Sequence, residues 1–380
     1  MDLLTLMLDK LESVALYAVP FIVILGVVVF IHELGHFLVG RWCGVGVKAF
    51  SIGFGPELFG RTDRHGTRWK VCAIPLGGYV KFAGDANAAS VPDFDSVNTM
   101  TEAERRESFI LKPLYKRAAI VVAGPVANFL LAIAIFAVSF MVLGRMVQEP
   151  YIGGVQPDSA AARAGFLPGD MIRSINGENM PSFDAVQRIV SSSAGESLAV
   201  TVERAGQTVK LTAVPDLREL SSVFGKYKAG ILGVQANPDP AYRHYETYGP
   251  LEAVWLGTRE SWRIVDSTFE YLGRVFVGRE SADQISGLPG IVNASGQAAK
   301  LGLGAMLMLT AVLSVSIGLI NLFPVPLLDG GHLMFYAIEA LAGRPLSEKT
   351  QEIGFRIGFA LVVMLMLFAT WNDIVRLTAP

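Results

Sequence analysis

Four apolar segments constrain this chain more than any other feature. They cover residues 17–40, 118–143, 301–328 and 357–371. A helix that crosses a bilayer needs about 20 apolar residues, within a range of about 17–25. The second segment carries no charge at all. The fourth is short before Asn372 and needs Ile374 and Val375 to reach across. Charged residues make up 17% of the sequence, against about 25% in soluble domains. The expected fold class is therefore an α-helical polytopic membrane protein with four transmembrane helices, and the lipid bilayer is its first partner.

The first segment is expected to stay on the protein. Asp2, Asp9 and Glu12 precede it where a signal peptide would carry basic residues, and no small-residue cleavage site ends it. Basic residues favour the cytoplasmic side. Residues 41–118 hold 12 Lys/Arg against 8 Asp/Glu, and residues 344–356 hold Arg344, Lys349 and Arg356. Both stretches are expected in the cytoplasm. Both termini and the long 144–300 segment are expected on the other side. Cys43 and Cys72 have neither CxxC nor zinc-finger spacing, and two cysteines make no disulfide framework. No basic cluster points to nucleic acid.

The first apolar segment contains HELGH. His32 and His36 are four residues apart, so on a helix they lie about 40° apart in azimuth and about 6 Å apart in height, on one face. Two imidazoles so placed can share a Zn²⁺ ion, with the intervening Glu33 as general base. The alternative, two hydrogen-bonded core histidines, weakens inside a membrane segment, where ionisable side chains are costly and usually functional. A catalytic zinc needs a third protein ligand. The third apolar segment ends SIGLINLFPVPLLDGGHLMF. Pro324 and Pro326 interrupt any helix there because each lacks an N–H, and a broken backbone at membrane depth is tolerated where it lines a cavity. Asp329 is the only acid between Asp283 and Glu339, and a carboxylate delivered by such a break suits zinc. His332 is the rival ligand.

Between the second and third apolar segments the pattern changes. Residues 152–155 read as a strand, 159–164 as a short helix stopped by Gly165, and 184–190 as a second helix. MIRSINGENM reads as a hairpin around Asn176-Gly177. SLAVTVERAGQTVKLTAV reads as two strands joined at Ala205-Gly206. AGFLPGD followed by I-x-x-I-N-G resembles a bacterial PDZ domain of the permuted type. That resemblance implies a small α+β domain that takes peptides, often C-termini, onto a sheet edge. YIGG at 151–154 is a candidate carboxylate-binding loop. Residues 250–280 read as an amphipathic helix with Trp255, Trp262, Phe269 and Phe276 at seven-residue intervals, packed on that domain or on the membrane surface.

HELGH, AGPVANFLLA, the PDZ-like insert and NLFPVPLLDGGHL together resemble the site-2 protease family, on its bacterial regulator-of-sigma-E protease branch. The resemblance runs from about residue 17 to 376. It implies Zn²⁺ on His32, His36 and Asp329, Glu33 as the catalytic base, and hydrolysis of peptide bonds within transmembrane segments of single-span membrane proteins. Implied substrates are pre-trimmed anti-sigma factors and remnant signal peptides, and the implied location is the bacterial inner membrane, with the site near its cytoplasmic side. Best-known members of the branch carry two tandem PDZ domains. This chain has room for one.

A transmembrane substrate hides its carbonyls in helical hydrogen bonds and must be bound extended. Residues 44–84 read as two Gly-rich strands around the polar turn RTDRHGT. The resemblance implies that they form a membrane-associated β element, with Gly77, Gly78 and Tyr79 near its substrate edge. The other reading is an ordinary cytoplasmic hairpin. Asn321 and Asn128 are candidates for holding substrate or oxyanion, against the reading of both as interhelical hydrogen bonds. Residues 85–108 read as a flexible loop, and 109–117 as an interfacial amphipathic stretch.

The resulting division is 1–43 with HELGH, 44–117 as β element and loop, 118–145, a PDZ domain at 146–236, a helical connector at 237–300, 301–343 with LDG, and 344–380 with the fourth helix. A non-catalytic membrane PDZ adaptor is the alternative, and an intact HELGH with LDG argues against it. A metal transporter predicts internal repeats, and none is visible.

Overall fold

The computed structural model of this protein describes residues 3–85, 100–222, 225–278, 282 and 285–378. They form two compact units. One comprises Met1–Ala137, Val254–Asp266 and Ser281–Pro380, the other Val138–Ala253 and Ser267–Glu280. In chain order the helices are α1 (Leu3–Trp42), α2 (Glu102–Glu107), α3 (Leu114–Val142), α4 (Ala160–Ala164), α5 (Phe183–Ser192), α6 (Pro250–Phe276), α7 (Leu288–Leu301), α8 (Leu303–Asn321), α9 (Asp329–Ala342) and α10 (Glu348–Thr378).

Among the described residues, four stretches are long and apolar enough to cross a membrane: Val14–Trp42, Leu114–Val142, Leu303–Asn321 and Lys349–Val375. The third is shorter than the apolar segment in the sequence. Its helix stops at Asn321, and α9 starts afresh at Asp329 beyond the two prolines. The fourth is longer than expected at both ends. Lys349, Glu352 and Arg356 lie on α10 rather than in a connector, with Arg356 paired to Glu352 one turn away. At its other end the buried Asp373 accepts the Gly287 and Gly290 N–H groups at 2.8 and 2.7 Å. It thus satisfies donors that the first turn of α7 leaves open.

Strands β1 (Val47–Thr62) and β2 (Arg68–Phe82) pair antiparallel in the first unit. Phe50 is buried and stacks on Trp69 at 4.4 Å, with Phe37 of α1 meeting both rings edge-on. The inner end of the hairpin is thereby fastened to α1. Its outer part exposes Leu58 and Phe59.

One expectation needs correction. Residues 86–99 of the expected 85–108 loop lie outside the described residues, but the rest is not all loop. Thr101 and Glu104 form a reciprocal capping box that starts α2, which satisfies two orphan backbone donors and stabilises even a short helix. The 237–300 connector contains two helices, α6 and α7. The aromatic stripe of α6 is largely exposed, as packing on a membrane surface would leave it. Gly257 lies against Ile133 and Phe136 of α3, whereas Trp255 and Trp262 are 66% and 71% exposed.

The second unit is built on strands β3 (Arg145–Gln148), β4 (Ile152–Val155), β5 (Met171–Ile175), β6 (Glu178–Asn179), β7 (Leu198–Arg204), β8 (Gln207–Ala213), β9 (Asp216–Ser222), β10 (Gly225–Ile231), β11 (Val234–Ala236) and β12 (Arg243–Glu246). Four of them form a sheet in the order β6-β5-β7-β8. Both sequence-predicted hairpins are present, with Asn176 and Gly177 at φ 51 and 82. That left-handed pair matches the twist of the flanking strands. Ile152, Ile172, Ile175, Val186, Leu198, Val200 and Val202 fill the core, each contributing about 1.5–3 kcal/mol by leaving water. YIGG is not a loop here: residues 152–155 are β4, paired with β11, and Tyr151 bridges to Met171.

Candidate metal centre

The HELGH segment lies in the unbroken α1, so His32 and His36 share the face that its helical pitch dictates. That face meets α3 at close range. Small residues allow it. A Cβ on Gly35 would sit 2.3 Å from the Ala123 carbonyl oxygen, and a Cβ on Gly124 would sit 2.3 Å from His36 Nε2. Residue 124 must therefore lack a side chain for His36 to occupy its place. His32, Glu33 and His36 are all buried. His36 Nδ1 is 2.8 Å from the Ile120 carbonyl oxygen. A carbonyl only accepts, so Nδ1 carries the proton and Nε2 keeps its lone pair.

The third group comes from the break between α8 and α9. Asp329 is the first residue of α9. Ahead of it Leu327 takes φ 99, a left-handed value that a leucine rarely adopts. Gly330 and Gly331 let the chain fold back on itself: a Cβ on either would come within 2.3 Å of a carbonyl of the break. Asp329 Oδ2 arrives 3.1 Å from His32 Nε2 and 3.5 Å from His36 Nε2.

The two Nε2 atoms are 3.3 Å apart. Zinc bound tetrahedrally at about 2.0–2.1 Å holds its ligand atoms about 3.3–3.4 Å from one another, so the triangle of 3.1, 3.3 and 3.5 Å has the right size. Asp329 Oδ2 is buried and has no hydrogen bond of good geometry despite its two neighbours. With the His36 lone pair fixed inward, a lone pair and a carboxylate oxygen converge on one buried point, an arrangement that fits a cation. Among the described residues His32, His36 and Asp329 form the one such cluster.

The model of peptidase family M50 matches residues 20–365. The chain belongs to peptidase family M50. Among its relatives, a protein carried under the name zinc metalloprotease in Rhizobium meliloti is 54% identical, over 98% of this chain and 99% of its own length. Metalloprotease MmpA of Caulobacter vibrioides is 44% identical, over 94% of this chain and 95% of its own. The regulator of sigma-E protease RseP of Salmonella typhimurium is 33% identical, over 94% and 98%. That alignment spans 455 positions against the 380 residues here, so part of the relative has no counterpart in this chain. The PDZ domain of an SdrC-like protein from Listeria monocytogenes overlaps 23% of this chain and 84% of its own, at 17% identity and a TM-score of 0.18, and no argument rests on it. The protein is a zinc metalloprotease of the site-2 protease family, in a chain with four apolar helices of membrane-crossing length.

Around the metal centre of this M50 peptidase the other candidate residues separate. β2 passes directly over Glu33. A Cβ on Gly78 would sit 2.9 Å from Glu33 Cγ and 2.7 Å from the Ser51 carbonyl oxygen, and the Val80 N–H hydrogen-bonds the Glu33 carboxyl. Gly77 lies against the Phe54 ring, and Tyr79 stacks on the same ring at 5.8 Å. Residues 68–71 of β2 pair with β1 on both sides, whereas Gly78 and Tyr79 pair with Ile52 and Ser51 on one side and have no neighbouring strand on the other among the described residues. Asn321 ends α8 immediately before the break, half-buried and without a hydrogen bond among the described residues. Asn128 is fully buried, with its Nδ2 3.2 Å from His32 Nδ1. It faces a histidine of α1, the interhelical contact that is the other reading of this residue. His332 is outside the cluster, its ring beside Phe355 at 5.4 Å and Tyr336 at 6.5 Å.

Two residues close to the centre escaped the sequence reading: Gly124, and Ile120 through its carbonyl. AGPVANFLLA was recognisable as a motif, but which of its residues face histidine depends on how α3 meets α1.

Proposed function

We propose that this M50 peptidase is an intramembrane zinc endopeptidase, with His32, His36 and Asp329 as ligands and Glu33 as the base. One observation carries the reading. The two histidines and Glu33 lie on a helix of membrane-crossing length, and the carboxylate that meets them opens the helix after another such helix. Zinc, when bound, supplies Lewis acidity that acidifies water and polarises a carbonyl.

Glu33 takes a proton from the attacking water on its carboxylate and returns it to the leaving amine. The Val80 N–H orients that carboxylate. The unpaired edge of β2 at Gly77, Gly78 and Tyr79 receives the substrate as an added strand, which holds its backbone extended. Asn321 faces the same chain from the break. Residues 146–236 are a PDZ domain that limits access by substrates with bulky external parts and takes peptide C-termini. The protein lies in the bacterial inner membrane, with both termini and that domain outside the cytoplasm. Its substrates are single-span membrane proteins such as pre-trimmed anti-sigma factors or remnant signal peptides.

The test is cleavage of a single-span model substrate by the full chain in proteoliposomes, beside Glu33→Gln. Wild type is expected to cut within the apolar segment. The variant is expected to lose about 10²–10⁴ of the rate while keeping its zinc. Undiminished cleavage by Glu33→Gln, or cuts only outside the apolar segment, would end this reading.

A further inference from the structure

Both histidines must present Nε2 with a free lone pair to share one ion, so each Nδ1 must carry a proton and needs an acceptor. For His36 the Ile120 carbonyl is that acceptor, at 2.8 Å. For His32 the group at its Nδ1, among the described residues, is the Asn128 amide at 3.2 Å. Asn128 is completely buried, its Oδ1 has no partner, and Nδ2 is the amide atom that faces His32. The two ends of an amide have nearly the same shape, and which end is which follows from the hydrogen bonds. A donor at that place would force the His32 proton onto Nε2, where it would point at Asp329 and His36. Turning the amide by 180° gives Nδ1–H an acceptor and frees the Nε2 lone pair.

We infer that Asn128 is a positioning residue for the metal centre: its amide oxygen accepts the His32 Nδ1–H and fixes the tautomer in which Nε2 faces the ion. This rests on the reading of His32 as a zinc ligand. Asn128 is itself held from α8. Ser314 Oγ donates to the Asn128 carbonyl at 2.8 Å, and a Cβ on Gly318 would already touch the Asn128 Cβ at 3.2 Å. The chain of contacts thus runs from α8 through Asn128 to His32. The third membrane helix shapes the centre at the His32 ring as well as at Asp329.

The experiment measures zinc affinity of the purified full chain by competition with a chelator, for wild type, Asn128→Leu, Asn128→Asp and His32→Ala. Loss of such an outer partner weakens metal binding about 10–100-fold. Asn128→Leu is expected to lose at least tenfold. Asn128→Asp keeps the acceptor in the same place and is expected to bind zinc as tightly as wild type or more tightly. A loss below tenfold for Leu, or a loss of tenfold or more for Asp, overturns the positioning role. If the Leu variant does not fold, the Asp variant alone decides by the same threshold. Failure of the metal reading looks different: wild type then holds no zinc, or His32→Ala holds it as tightly as wild type, and both conclusions fall together.

Discussion

Arg117 grips Glu339 with two guanidinium nitrogens, at 2.6 and 3.2 Å, and lies over the Tyr336 ring at 4.9 Å. Both side chains of the ion pair are more than four-fifths buried. The pair ties the start of α3 to α9, and so fixes the helix that begins with Asp329. Removing one partner of a buried pair leaves an uncompensated charge. Arg117→Ala should lower the stability of the chain by about 3–5 kcal/mol and speed zinc release. Arg117→Lys, which offers a point charge instead of a fork, should fall between the two. Thermal unfolding in detergent and zinc release to a chelator report both effects. Unchanged values for Arg117→Ala would mean that the tie is idle.

Asp329 and His332 both follow the break, and only Asp329 reaches the histidines. Spreading a structural zinc affinity of about 10–16 kcal/mol over four ligands gives about 2.5–4 kcal/mol, or roughly 60- to 700-fold, per ligand. Asp329→Asn should lose about that much, and His332→Asn much less than tenfold. Metal content after dialysis would distinguish them, and the reverse order would exchange their roles.

Gly124 and Gly78 are both short of space, but in front of different groups. An alanine at 124 drives into His36 Nε2, and one at 78 drives β2 away from Glu33. Gly124→Ala should lose zinc. Gly78→Ala should keep its zinc and lose up to about 100-fold in rate, as expected for a misplacement near 1 Å. Zinc content measured beside cleavage rate separates them. Equal zinc loss in both would contradict the separate placement of the two glycines.

In the second unit, Asp170 accepts Arg204 Nε and a second guanidinium nitrogen at 2.7 and 2.8 Å. Burial pushes the Asp170 carboxyl upward, but the hydrogen bond from Arg204, the Leu167 N–H and the charge of Arg204 outweigh it and hold it below the usual carboxylate range. A carboxyl whose folded value lies below its unfolded one stabilises the fold above the unfolded value, about pH 3.9. That contribution disappears as pH falls through the folded value. The protection free energy from hydrogen exchange across residues 145–213 of the full chain should therefore be flat from pH 7 to about pH 5 and fall in acid below about pH 4. In Arg204→Ala the protection should be weaker by about 2 kcal/mol already at neutral pH. A variant with wild-type protection at pH 7 would show that the pair contributes nothing.

Much of the candidate site was readable because its parts are local. Two histidines one helical turn apart, and an acid placed after two prolines, need no knowledge of the rest of the fold. The same holds for the hairpins at Asn176-Gly177 and Ala205-Gly206, where turn chemistry decides. Contacts between distant helices were not readable. Asn128 and His32 are 96 residues apart, and Arg117 and Glu339 are 222 apart. Neither pair leaves a spacing in the sequence. The Trp255 and Trp262 stripe was readable as a stripe, but what it faces was not. In water an apolar stripe marks the buried side of a helix. In a protein with lipid-facing helices the outward side can be apolar too, so periodicity finds the stripe without saying what it faces. Thr101 and Glu104 carried a capping box that the polar composition around them concealed.

The break between Asn321 and Asp329 gives the centre an asymmetry. His32 and His36 ride on one rigid rod, and their separation is set by helical pitch alone. Asp329 hangs from a bent joint strained at Leu327 and braced at a distance by Arg117. The protein therefore has a pincer with one fixed jaw and one articulated jaw. A pull on α9 would open it without unwinding the helix that carries the other two teeth.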